Sequence, residues 1–373
     1  MNNLMISPAD LKNLIKKSDN SYIISDIRDE NEFIDWNIPG SINTPINQYM
    51  AKGEYSVMKA KLLKLPKEKK IITVCARGIN SQFAAFMLNE MGYNAVSLKK
   101  GMKGWNENFD IYEVDFPGFV VVQFVRIGKG CLSYIIYSKE NRSAIVIEPS
   151  IFTYEYTNYA EKHKLNLTHI LDTHSHADHF SGGMELNQKL GLNYYINSTD
   201  IDGSFNYTSL KDITEIKLES IVIKVISSPG HTDGSVSFLI DNKALICGDL
   251  LLLESPGRPD LARTKEDTLK GAGILFDTLQ KKIFTLDDSV NIFPSHFTKT
   301  ELRPVVMTLG ELKKVNLPLS ISKKENFIEY LTQYIPLTPP NYESIKKFNK
   351  AGAILPIDYA EDLEIGPNRC AAR

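Results

Sequence analysis

The segment THSHADHFSGG, running from Thr173 to Gly183, places His174, His176, Asp178 and His179 within six positions. Nitrogen and oxygen donors at that density suit zinc or iron. The chain has only seven histidines and puts three of them here, so its fold must orient them together. The preceding NLTHIL reads as a strand and the following MELNQKLG as a helix entered through a Gly-Gly turn. The cluster therefore sits on a strand-to-helix loop, where a rigid scaffold commonly holds functional residues. Further donors repeat the placement. His231 follows the strand SIVIKVIS, Asp249 closes the apolar strand in LICGDLL, and His296 follows the apolar segment of IFPSH. Donors that each follow a strand gather at one rim of a layered sheet. His163 and His169 lack such a setting and read as structural or exposed.

The 373 residues divide near positions 110–120. Before that join, short apolar strands (SYIISDI, KKIITV) alternate with amphipathic helices. In SQFAAFMLNEMG the apolar residues Phe83, Phe86, Met87 and Met91 recur at helical spacing. After the join come long strand-like segments: FVVVQFVRI, CLSYIIYS, SAIVIEP, SIVIKVIS, SVSFLI and ALICGDLLLL. Helices fall between them. The Pro-punctuated tail from about 316 carries a further helix or two and extends the second domain. The expected architecture is an α/β domain over 1–115, then a metal-binding layered sheet over 116–373.

At this point the ordered set His-x-His-x-Asp-His, Gly-His, Gly-Asp and Ser-His resembles the metallo-β-lactamase superfamily over roughly residues 118–373. The resemblance implies an αββα sandwich with metal at one edge. Two subfamilies fit. Persulfide dioxygenases hold one Fe(II) per chain; glyoxalase II-type thioester hydrolases hold two zinc ions. GRPDL, with Arg258 and Asp260, resembles the Gly-Arg-x-Asp signature of the dioxygenases, and the tail GPNRCAAR resembles theirs. By that resemblance His174, His231 and Asp249 hold the iron, a set that leaves positions open for dioxygen and a substrate sulfur. His176, Asp178, His179 and His296 then orient ligands and water. In the hydrolase alternative they complete a two-metal site, with Asp249 bridging. Arg258 anchors an anionic substrate group, Asp260 orients it, and Cys370 reaches the site from the tail. Pro256 stands where many members carry Cys, and Thr298 where many carry Tyr. Both departures fall where substrate binds.

Cys75 raises a separate question in VCARGINS. It follows the strand IITV and precedes a helix, a loop geometry that aims backbone N–H groups at a sulfur anion. Residues 5–110 resemble the rhodaneses, which are sulfurtransferases. The resemblance rests on Asp26, Arg28, Glu32, Phe33, Ile38, Pro39, Gly40 and Pro45 in DIRDENEFIDWNIPGSINTP, and on Gly101 and Trp105 in GMKGW. It implies that Cys75 is a nucleophile that carries sulfane sulfur. The loop departs from Cys-Arg-x-Gly-x-Arg-Ser, since Ala76 and Asn80 replace the arginines and Arg77 compensates in part. Asp26 and Arg28 read as structural.

The fusion implies one substrate class, a low-molecular-weight persulfide, with dioxygen as co-substrate and sulfite or thiosulfate as product. With 43 Lys+Arg against 45 Asp+Glu, the chain lacks the basic surplus of a nucleic-acid protein. No apolar run has the length of a membrane span or signal peptide. Cys75, Cys131, Cys247 and Cys370 are spread too widely for a disulfide framework or a Cys-x-x-Cys zinc site. A reducing cytoplasm is the expected compartment, and homo-oligomerisation is compatible with these families.

Overall fold

A computed structural model describes every residue except 1–3, 18–19, 204, 262–263, 299–302 and 372–373. The chain divides into two compact units, one of Met1–Phe109 with Arg126–Lys129 and Ile365–Pro367, the other of the remainder.

In the first unit, short apolar runs separated by helices can pair only in parallel, because each crossover returns the chain to the same sheet end. Five strands result, in the order Met5–Ile6, Asn94–Leu98, Lys70–Val74, Tyr22–Asp26, Ile42–Asn43. Lys70–Val74 is central and ends directly at Cys75. The carboxyl ends of parallel strands are where such sheets hold ligands. The crossover helix Ile79–Glu90 packs on the sheet through small residues. Its buried residues are Ser81, Ala84, Ala85 and Leu88, while Phe83 and Phe86 are 39% and 49% exposed. The small-residue stripe lets the helix lie close on the sheet. Thr73 Oγ1 donates to the Ser81 carbonyl at 2.7 Å, and the Ser81 and Ser97 hydroxyls meet at 2.8 Å. Phenylalanines on that face would hold the helix away.

The second unit contains two mixed sheets flanked by helices. One has seven strands, ordered Thr208–Ser209, Asn193–Ile196, Asn166–Leu171, Ser143–Ile147, Cys131–Ser138, Phe119–Arg126, Phe109–Asp115. The other has six, ordered Glu215–Leu218, Ile221–Ser227, Val236–Ile240, Ala244–Gly248, Asn291–Pro294, Met307–Thr308. Strands such as Cys131–Ser138 and Ser143–Ile147 are buried at every position, as continuous apolar runs require. The sheets meet through Phe293, whose ring lies 5.9 Å from Tyr134 and 6.3 Å from Phe116. Burial of this kind contributes about 1.5–3 kcal/mol per large apolar side chain. This is the expected αββα architecture.

The apolar run ALICGDLLLL forms a shorter strand than its hydrophobicity predicts. The strand stops at Gly248, whose φ is +58 and where a Cβ would lie 2.4 Å from Thr173 Oγ1. Only glycine fits that approach, and the turn it makes delivers Asp249 beside His174. Among the described residues the tail holds three α-helices, Lys324–Gln333, Tyr342–Lys350 and Ile357–Leu363. The first packs on Lys265–Thr278, with Phe276 and Phe327 5.4 Å apart. No helix among the described residues is long and apolar enough to cross a membrane.

Candidate metal centre and cysteine loop

The strands Asn166–Leu171, Ile221–Ser227, Ala244–Gly248 and Asn291–Pro294 each run into a loop that carries one or more donors. His174, His231 and Asp249 converge. Both histidines turn Nε2 toward Asp249 Oδ2, at 3.7 and 3.5 Å. Their Nδ1 atoms are held from behind, by Thr173 Oγ1 at 2.8 Å and by the Arg258 carbonyl at 2.8 Å. Asp249 Oδ2 is buried with no hydrogen-bond partner. A buried carboxylate oxygen without a partner is costly, and two imidazole nitrogens aimed at the same point make it fit a metal ion. Burial alone would raise the Asp249 carboxyl, but His296, His231 and His174 overcome it and hold it well below the usual range. His174 is pushed down, first by burial and then by His176 and His231, so it presents the neutral imidazole a metal needs.

The remaining donors split. His176 Nε2 faces Glu148 Oε2 at 3.4 Å and Asp172 Oδ1 at 3.8 Å. Asp178, His179 and His296 form a second buried group, which Cys131 joins. Cys370 is buried beside Asp249 and His296, so the tail does bring its thiol to the centre. Burial, then Asp178 and Asp249, push that thiol well up.

Arg258 is placed otherwise than as a substrate anchor. Its five N–H groups are all engaged: two with Asp260 (2.9 and 2.6 Å), the others with the carbonyls of Leu337, Arg369 and Pro336. No N–H remains for an oxyanion. The pair instead pins the tail against the loop that follows Asp249, and the Arg258 amide donates to the Cys370 carbonyl at 3.0 Å.

In the first unit the N–H groups of Gly78 and Ser81 donate to Cys75 Sγ at 3.2 and 3.4 Å, and the Ser81 hydroxyl lies at 3.2 Å. The loop is closed by the Gly101 turn, where a Cβ would sit 2.1 Å from the Cys75 carbonyl. Arg77 is exposed on the loop. Asp26 and Arg28 form a buried bidentate pair, with Arg28 Nη2 also donating to the Trp36 carbonyl. They brace the fold.

Residues 7–108 match the Rhodanese-like domain model, and 126–299 match that of the metallo-beta-lactamase superfamily. The persulfide dioxygenase ETHE1 of Homo sapiens, a mitochondrial protein, is 30% identical over 200 residues, covering 52% of this chain and 73% of that one. This chain belongs to the metallo-β-lactamase superfamily. A probable polyketide biosynthesis zinc-dependent hydrolase, BaeB of Bacillus velezensis, is 28% identical over 53% of this chain and 85% of its own. A solved Staphylococcus aureus metallo-beta-lactamase superposes with TM-score 0.59 at 28% identity, over 64% of this chain and 75% of that chain.

The metallo-β-lactamase domain uses residues that sequence reasoning passed over. Glu148 ends the strand Ser143–Ile147 with φ +59, a conformation that disfavours glutamate. Its carboxylate accepts from the Thr173 amide at 2.6 Å and the Ser295 hydroxyl at 2.7 Å. It thereby ties the loops of His174 and His296 together. Burial would raise it, but His176 chiefly lowers it to about 2. Asp200 accepts from the Ser175 amide, Thr232 Oγ1 and the Gly234 amide at 3.2, 2.6 and 3.0 Å, linking the loops of His174 and His231. Asn349 on the tail donates to the carbonyls of His176 and His179 at 2.9 and 2.8 Å. A cavity of about 600 Å³ opens on His231 and is lined also by Ser175, Thr199, Lys270, Lys346 and Lys350.

Proposed function

We propose that the metallo-β-lactamase domain is a persulfide dioxygenase, oxidising the outer sulfur of a low-molecular-weight thiol persulfide to sulfite at a single iron, and that Cys75 transfers sulfane sulfur. The observation that carries this reading is the donor set. Two imidazoles and one carboxylate oxygen converge, while His176, the donor that would complete a three-histidine zinc set, faces Glu148 and Asp172. When bound, iron would supply the redox chemistry that joins a sulfane sulfur to dioxygen, with coordination positions left open by only three protein ligands. The balance is RSSH + O₂ + H₂O → RSH + H₂SO₃, the sulfur rising in oxidation state as dioxygen is reduced.

The chain's own groups have defined tasks. Thr173 and the Arg258 carbonyl fix the two imidazoles through Nδ1. The cavity at His231 has the volume of a small-ligand site, and its wall carries Lys270, Lys346 and Lys350 together with Asp200, Asp233 and Asp267. On the rhodanese-like domain, Cys75 attacks the outer sulfur of a donor persulfide, releases the donor thiolate and keeps the sulfur as its own persulfide. The Gly78 and Ser81 amides stabilise that anion.

A zinc-dependent thioester hydrolase is the second reading. The cluster of Asp178, His179 and His296 favours it, as does the similarity to a zinc-dependent hydrolase. Oxygen uptake by anaerobically purified, iron-loaded protein separates the two. Adding a low-molecular-weight persulfide should give rapid uptake, and Asp249→Ala should reduce it to background. Full uptake by Asp249→Ala would overturn the ligand assignment.

A further inference from the structure

His231 follows Gly230, and that glycine is a weak joint. Its φ is +145, in the region that favours glycine. A Cβ there would lie 2.7 Å from both Cα and Cβ of Leu275, so the close approach to the helix Lys265–Thr278 admits no side chain either. Glycine also has more backbone freedom to lose than any other residue. A joint of that kind does not aim an imidazole at Asp249 by itself. The hold comes from its neighbours.

Thr278, buried in the last turn of that helix, donates from Oγ1 to the Pro229 carbonyl at 2.8 Å. The carbonyl belongs to the planar peptide unit that joins Pro229 to Gly230. Fixing its oxygen fixes the plane from which Gly230 starts. Past Thr278 the helix widens into one π turn, Leu279–Ile283, a departure that is frequent at functional sites. From this turn Lys282 Nζ donates to the Ser227 carbonyl at 2.5 Å, where the strand Ile221–Ser227 ends. On the far side of the joint the Gly230 amide donates to the Thr232 carbonyl at 3.0 Å, and Thr232 Oγ1 donates to Asp200 Oδ2 at 2.6 Å. The Arg258 carbonyl holds the imidazole at Nδ1. Strand end, joint and ring are thus tied separately, and Thr278 is the tie at the joint. The same helix carries Lys270, Gly271 and Ile274 in the wall of the cavity that opens on His231.

We propose that Thr278 is a positioning residue for the metal centre. Its hydroxyl, acting through the Pro229 carbonyl and Gly230, sets the direction in which His231 presents Nε2. Residues that orient a ligand from behind govern how tightly and in what geometry the metal is held. The inference rests on His231 as a ligand, and it holds whichever reaction the centre performs.

Cobalt(II) tests this, because its visible d–d bands report coordination geometry and titration against a chelator reports affinity. Both are measured on metal-stripped full-length protein, and oxygen uptake plays no part. Thr278→Val keeps the side-chain shape and removes the hydroxyl; Thr278→Ser keeps the hydroxyl. The valine protein should bind cobalt about tenfold more weakly, with displaced bands, and the serine protein should match the wild type. Wild-type affinity and bands in Thr278→Val overturn the proposal, even where its melting temperature falls, since Thr278 would then serve the fold alone. A serine protein as impaired as the valine protein overturns it too. Thr278→Ala provides a second hydroxyl-free protein should Thr278→Val not fold. His231→Ala should lose more affinity than any of these; wild-type binding by it would instead overturn the ligand assignment on which the inference rests.

Discussion

At the residue scale, what distinguishes this centre is how each donor is held from behind. Glu148 is the clearest case, a single carboxylate engaging the residues that flank His174 and His296. Its pKa is lowered from 4.5 to about 2 in the fold. A carboxyl lowered by folding contributes stability that is fully present above its unfolded value and is lost as pH falls toward the folded one. The window is therefore pH 4.5 down to about 2. The difference corresponds to at most about 3 kcal/mol. Glu148→Gln should lower stability by up to about that amount at pH 7 and flatten the acid limb of the unfolding curve, read by denaturant titration across pH. An unchanged acid limb would remove Glu148 from this role. The candidate metal donors are legible in sequence because five histidines and Asp249 all sit just beyond apolar strands. Glu148 shows the same signal, an acid closing SAIVI, but without a second donor nearby it carried no pattern. Asp200 and Cys131 were invisible for a related reason. Their partners are distant in sequence and meet only through sheet register.

At the element scale, hydrophobic periodicity located the strands and helices but does not show which residues of Ile79–Glu90 meet the sheet, where Met87 and Met91 pack against the core and Phe83 and Phe86 are exposed. Both stripes have helical spacing. Size decides between them, because the helix lies against the sheet at the Cys75 loop and only Ser81, Ala84 and Ala85 allow that approach. Ala84→Leu should destabilise the first unit by about 1–3 kcal/mol through overpacking. Phe86→Ala should stay within about 0.5 kcal/mol. Thermal or urea unfolding of the two variants would reverse that order if the phenylalanines packed inward. The end of ALICGDLLLL teaches the same lesson. Hydropathy extends the strand to Leu253, but the contact between Gly248 and Thr173 stops it one residue before Asp249. Hydropathy cannot register the Thr173 side chain packed against the Gly248 backbone.

At the scale of the whole molecule, the tail is part of the centre. Arg258 binds three tail carbonyls, Asn349 holds the histidine loop, Glu364 accepts from the Phe180 amide, and Asn368 bridges Gly130 and Phe297. In the sequence the tail reads as an extension and Arg258 as a substrate anchor, since nothing in GRPDL reveals that its N–H groups are taken. The two units carry separable chemistry on the proposed reading. Cys75→Ser should abolish sulfur transfer from a persulfide donor and leave oxygen uptake intact, and loss of both together would contradict that division. The central claim is persulfide oxidation at His174, His231 and Asp249. Its most direct test is the ratio of dioxygen consumed to sulfite formed by the iron-loaded protein on a small thiol persulfide. The account predicts one sulfite per dioxygen, dependent on Asp249. Absence of uptake from metal-loaded protein, alongside hydrolysis of an acyl-thioester, would contradict it.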